Sequence, residues 1–177
     1  MEEHPYDGAI VGIGIEPCVQ VAEMAGVTCD NGIATDIQGR TSDPSIWAAG
    51  DCASLPYRGD RIRLESVQNA IDQAEIVAKN ILGAVQDYVP KPWFWSDQYD
   101  LKLQIAGLCT GYDAVAVRDG GKGRSHWYYA GETLLAVDAM NDPRGYMIGK
   151  RLIEAGKSPA PEVVADPSSD LKEFLRA

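Results

Sequence analysis

The 177-residue sequence is 45% hydrophobic and 24% charged, enough length and apolar content for one domain or two small ones. Its 16 Lys and Arg against 26 Asp and Glu give a formal net charge of −10, which argues against a nucleic-acid partner, since phosphate binding needs clustered cations. No apolar run approaches the roughly 20 residues of a membrane span, and the opening Met-Glu-Glu-His-Pro is not a signal peptide, so a cytoplasmic protein without a membrane partner is expected. Cys18, Cys29, Cys52 and Cys109 show no CxxC or metal-like spacing and are expected to be reduced, mostly buried thiols. With His4 and His126 as its histidines, the chain offers no His-based metal site.

In chain order, residues 7–15 form an apolar run ending in Gly12-Ile13-Gly14, which predicts a strand, and Pro17 in a first turn with Gly26 as a cap predicts a helix to about Ala25. Two glycines with Pro17 in the third position are only part of a dinucleotide fingerprint, and by themselves read as a close-packed strand-to-helix turn rather than a phosphate loop. Ser42-Asp43-Pro44 is turn chemistry, and Ile46 to Ala49 reads as a short strand buried on both faces. Gly50 then permits close backbone approach and Asp51 falls at the strand's carboxyl end, where an open α/β sheet meets its ligand. A buried, unpaired carboxylate there would cost several kcal/mol, so a partner for Asp51 is expected.

Val67, Ala70, Ile71, Ala74, Val77, Ala78 and Ile81 recur at helical spacing, predicting a helix over about Glu65 to Leu82 with one apolar face. Its N-terminus, opened by Glu65 and Ser66, is a place that favours negative charge. Residues 83–91 read as a linker, and Pro90-Lys91-Pro92-Trp93-Phe94-Trp95 as an extended, aromatic segment that either plugs a domain junction or lays one indole against a flat ligand. Thereafter the pattern is β. Leu101, Leu103, Ile105 and Gly107 alternate with a wetter Lys102, Gln104 and Ala106 face, and further strands are predicted at 114–118, 125–129 and 133–139, joined by short turns and so antiparallel. Asp142 and Pro143 open a helix to about Ala155 with Tyr146, Ile148, Leu152 and Ile153 buried, and a short acidic helix follows near 169–176. The fold class expected is α+β: a partial α/β segment followed by an antiparallel-sheet domain with flanking helices.

Several of these segments together resemble one family. Thr41 with Ile46 to Asp51 is similar to the second flavin fingerprint of two-dinucleotide-domain flavoprotein reductases. Val11 to Pro17 with Asn31-Gly32-Ile33 resembles the crossing from the NAD-binding to the FAD domain in ferredoxin reductases, with Cys18 where that family usually has Asn. Glu65-Ser66-Val67-Gln68-Asn69-Ala70 and Trp95-Ser96-Asp97-Gln98 match segments of the same reductases. The chain is identified as resembling the C-terminal portion of a bacterial FAD-dependent NAD(P)H:ferredoxin reductase serving an oxygenase or a P450. The domains this implies are 1–15 as the last strand of the NAD-binding domain, 16–88 as the C-terminal part of the FAD domain, and 89–177 as the interface domain.

The resemblance assigns Asp51, with Gly50, to the ribityl chain of FAD, and the Val67 amide, beside Ser66, to the negatively charged edge of the reduced flavin. Trp95 is assigned to the flavin ring, and Gly12, Gly14 and Glu65 to the NAD side, with no acid–base residue required. The N-terminal Gly-x-Gly-x-x-Gly of such enzymes does not occur here, so FAD binding by this chain alone is expected to be weak or absent. The implied partners are NAD(P)H and a 2Fe–2S ferredoxin, for which Arg58, Arg61, Arg63 and Lys102 are possible basic contacts. A non-catalytic binding or dimerisation module, self-associating through the Trp-rich edge, is the alternative.

Overall fold

In a computed structural model the described residues are 7–176; His4 and the opening pentapeptide lie outside them. Two layers of structure follow one another. The first is built from helix α1 (Gln20–Met24), strands β1 (Ile33–Ala34), β2 (Ala53–Tyr57) and β3 (Asp60–Ile62), and helix α2 (Val67–Ile81). The strands form a small sheet in the order β1-β2-β3, with β1 parallel and β3 antiparallel to β2. The second is a five-stranded antiparallel sheet of β4 (Trp93–Gln98), β5 (Leu101–Gly107), β6 (Ala114–Asp119), β7 (Arg124–Ala130) and β8 (Thr133–Met140), ordered β4-β5-β8-β7-β6. Helices α3 (Pro143–Glu154), α4 (Pro161–Ala165) and α5 (Glu173–Arg176) complete it. This mixed α+β architecture is the one the sequence predicts.

One face of the large sheet carries the core. Ala106, Trp127, Tyr129, Val137 and Ala139 pack with Tyr146, Ile148 and Leu152 of α3 and Val164 of α4. Gly149 is the point of closest approach, because a Cβ there would lie 2.6 Å from Val137 and 3.3 Å from the ring of Trp127. Buried Trp127 donates from Nε1 to Ser125 Oγ at 2.9 Å, and Ser125 donates to Asp142 Oδ2 at 2.9 Å. Asp142 in turn caps α3 by accepting from the Gly145 amide at 2.8 Å, ahead of Pro143 in the first turn. The core thus fixes the cap, and the cap fixes the helix.

Five expectations are corrected. No strand forms over 7–15: residues 8–19 have no regular structure, and Ile10, Val11 and Ile13 are exposed, because no strand among the described residues offers them a ladder. Pro17 precedes α1 rather than opening it. Ile46 to Ala49 forms only a single bridge, Trp47 with Arg40, supported by the Ala48 amide donating to Gly39 at 3.1 Å. In β5 the wetter face holds the core through Ala106, while Leu101 is 42% exposed on the other. None of the four cysteines is buried; Cys18 and Cys109 are exposed, and all are free.

The fold holds three phenols in their neutral form. Burial pushes Tyr88, Tyr128 and Tyr129 each up to about 12, helped by the Asp72 charge, the Asp138 carboxylate and the Glu162 charge respectively. A native value raised above the unfolded value of about 10 contributes stability below pH 10 that is lost between about pH 10 and 12. Spectrophotometric titration is expected to show these three of the eight tyrosines, and Tyr146, which burial also pushes up, ionising late, together with unfolding.

Candidate flavin-contacting site

The apolar stripe of α2 is not the side it buries. Asn69, Gln73, Val77 and Asn80 are buried, whereas Val67, Ile71 and Ile81 are 60%, 49% and 57% exposed. The polar residues are inside because each satisfies a loop. Asn69 donates to Leu64 O at 3.1 Å and accepts from Tyr88 OH at 2.8 Å. Asn80 holds the backbone of Gln38 and Gln86. Gln73 accepts from the Gly50 amide at 2.8 Å, which docks a single 3₁₀ turn, Gly50–Cys52, onto the helix. Gly50 has φ +80°, and a Cβ there would sit 3.4 Å from that of Ala70, so glycine suits the position twice over.

This turn presents Asp51 outward. Its side chain is exposed rather than buried, so burial does not demand the partner expected for it, and no hydrogen bond to its carboxylate is found among the described residues. Its carbonyl accepts from Arg63 Nη1 at 3.1 Å. Ser66, extended at φ −148° and ψ 144°, caps α2 by accepting from the Asn69 amide at 3.2 Å. The hydroxyl oxygen is therefore engaged, and the donors left open at the helix start are the amides of Val67 and Gln68.

A cleft of about 290 Å³ brings this helix start against the large sheet: Arg63, Glu65 and Ser66 face Phe94, Ile105 and Gly107. Trp93 also lines it, but Trp95 does not. Side chains alternate along a strand, so Trp95 shares the sheet face of Trp93, at 5.5 Å between ring centroids, and lies opposite to Phe94. Phe94, which sequence reasoning passed over, joins Trp93 as an aromatic residue lining the cleft. Gly12 and Gly14 are exposed with no neighbour within 4 Å of a built Cβ, and the structure does not bring them into the cleft.

The expected basic contacts divide. Arg61 is exposed, but its guanidinium is engaged by the chain, donating to Thr35 O at 2.7 Å and to Ser54, and Arg63 is paired with Glu65 at 2.6 Å. Arg58 lies over the Tyr57 ring and Lys102 is exposed. A basic cluster that sequence reasoning missed lies elsewhere. Arg144, Arg151, Lys172 and Arg176 surround Met147 and Leu175 in a cleft of about 440 Å³ between α3 and α5. The spacing of Arg144, Met147 and Arg151 along one helix face was its available signal. Among the described residues no group of His, Cys, Asp or Glu is placed to hold a metal ion, and no helix is long and apolar enough to cross a membrane.

The small sheet with α2 and the five-stranded antiparallel domain, which meet at the cleft, each match a known family. Residues 1–74 match the pyridine nucleotide-disulphide oxidoreductase family and residues 93–175 the reductase C-terminal family. Across both segments the chain is a homologue of the bacterial ferredoxin–NAD(P)+ reductases. It is 44% identical to a ferredoxin–NAD(P)+ reductase of Sphingomonas, over 97% of this chain and 42% of that protein. It is 43% identical to rhodocoxin reductase of Rhodococcus erythropolis, over 94% of this chain and 40% of that protein. Among solved structures it superposes on a ferredoxin reductase from Rhodopseudomonas palustris with a TM-score of 0.86 at 42% identity, covering 92% of this chain and 41% of that one. A putidaredoxin reductase in covalent complex with putidaredoxin gives 0.88 at 39% identity, over 97% and 42%. The chain thus spans about two fifths of the length of these relatives.

The residues present fit the flavin of that family. Gly50 clears a close approach, Asp51 offers a carboxylate without a hydrogen-bond partner among the described residues, and the N-cap Ser66 of α2 lines the cleft beside the nine-tenths-buried Arg63, whose Nε has no acceptor.

Proposed function

We propose that this chain forms the flavin-contacting and interface portion of an oxidoreductase that passes electrons from NAD(P)H through FAD to a 2Fe–2S ferredoxin in the cytoplasm. The observation that carries the reading is the cleft in which the start of α2 meets β4 and β5, with the Gly50–Asp51 turn docked on the same helix. When bound, FAD supplies the hydride acceptance and single-electron delivery. The chain supplies binding and electrostatics. Asp51, freed by Gly50, accepts hydrogen bonds from ribityl hydroxyls. The Val67 amide, beyond Ser66, faces the edge that becomes negative on reduction. Phe94 and Trp93 form the aromatic wall of the cleft, while Trp95, the residue the resemblance assigns to the ring, lies outside that lining. Gly12, Gly14 and Glu65 lie toward the nicotinamide nucleotide in this reading. The Arg144–Arg176 cluster offers an acidic partner its charge complement on a chain of net charge −10.

A second reading, a non-catalytic module that pairs with another copy, is favoured by the open face of the large sheet, where Phe94, Leu101, Val115 and Val117 are 41–43% exposed. One experiment separates the two. The purified chain is incubated with FAD, desalted, and its visible absorbance recorded. A retained flavin band supports the first reading, and oligomers without a flavin band support the second.

A further inference from the structure

We infer that Arg63 is a positioning residue that keeps the start of α2 open for a ligand's negative charge by holding the Glu65 carboxylate away from it. The inference rests on the flavin reading above. Glu65 directly precedes the N-cap, and a carboxylate so placed is drawn to the first-turn amides and the positive helix end. It would compete there with any anionic ligand edge. Arg63 prevents this: its Nη1 meets Glu65 Oε1 at 2.6 Å, with the guanidinium side chain only 9% exposed. The same Nη1 donates to Asp51 O at 3.1 Å, and Nη2 makes a long contact with Ile15 O at 3.5 Å. One guanidinium therefore fixes Glu65 and the Asp51 turn together.

The slot for Arg63 is itself built. Gly32 has φ +124°, and a Cβ there would come within 2.9 Å of Arg63 Cδ and 2.7 Å of Cys52 O. Only glycine leaves room for the arginine stem. Two observations meet at the cleft: the N-cap Ser66 of a 15-residue helix lines it, and so does the buried side chain of Arg63, whose Nε is unpartnered.

The test compares the wild-type chain with Arg63→Met, Arg63→Lys, Glu65→Ala and the Arg63→Met/Glu65→Ala double variant. It reads amide exchange at Val67 and Gln68 by NMR, and FAD affinity. In Arg63→Met the released carboxylate caps the helix, so exchange at those amides slows and FAD binding weakens about threefold to fivefold. Removing Glu65 as well restores both, and Arg63→Lys, which keeps the ion pair, stays near wild type. Should Arg63→Met not fold, Arg63→Gln removes the charge while keeping a donor for Asp51 O. Unchanged exchange in the neutral variants, or a double variant as impaired as the single, overturns the inference. If the wild-type chain takes up no FAD, as expected of a chain without the Gly-x-Gly-x-x-Gly pyrophosphate site, the exchange data alone decide the role of Arg63.

Discussion

Gly107→Ala is expected to destabilise the chain by about 4 kcal/mol or more, at the extreme of single substitutions. Gly107 ends β5 at φ +79°, where an L side chain is strained, and its Cβ would fall onto the carbonyl of Leu135 and within 3.0 Å of Ala136 Cα. Both obstacles are backbone of β8, so no rotamer change relieves them. Relief requires parting β5 from β8 where Gly107 pairs with Ala136, and the Gly107 amide would lose its 2.9 Å bond to Pro92, which anchors the start of β4. Because Gly107 also lines the cleft, the same change displaces Phe94 from α2. Chemical denaturation monitored by circular dichroism checks this; a midpoint matching wild type would mean that the sheet gives way there at little cost.

Asp51→Ala is expected to weaken FAD binding by about tenfold to a hundredfold, the range for losing hydrogen bonds to a charged acceptor. Stability should hardly change, since the carboxylate is exposed and no internal bond to it is found among the described residues. The two readouts therefore separate. Asp51→Asn retains one acceptor oxygen and should fall between. Isothermal titration with FAD, beside thermal melts of the same samples, measures both; equal affinity in Asp51→Ala would remove Asp51 from the site.

The large sheet was legible because its strands alternate and its turns carry glycine, as at Asp119-Gly120-Gly121, where the Gly121 amide bonds Asp119 Oδ1 at 2.9 Å. Helix α3 was legible for the same local reason, through Asp142 and Pro143. What failed depended on partners distant in sequence. Residues 7–15 look like a strand, but strand character is realised only against a neighbouring ladder. Helix α2 shows an apolar stripe, yet Asn69, Gln73 and Asn80 face inward because loops at Leu64, Gly50 and Gln86 need their hydrogen bonds. Local spacing reports amphipathicity but not which side a neighbour claims.

The site divides in the same way. Gly50, Asp51 and Ser66 stand out by residue type and position. Phe94 escaped notice because the face of an aromatic in Trp93-Phe94-Trp95 is set by register: Phe94 opposite Ile105 and Trp95 opposite Gln104. Arg63 was expected at the surface as a basic contact, because a single arginine in a polar loop looks like solvated charge until its burial and its partners are known.

The most direct test of one flavin cleft shared by both matched segments is an amide chemical-shift map of the labelled chain during titration with FAD. The account predicts that Asp51, Val67 and Phe94 shift together along a single binding curve, while the β6–β7 hairpin around Gly121 stays unmoved. Shifts confined to one segment, or centred on the open sheet face at Val115 and Val117, would contradict it.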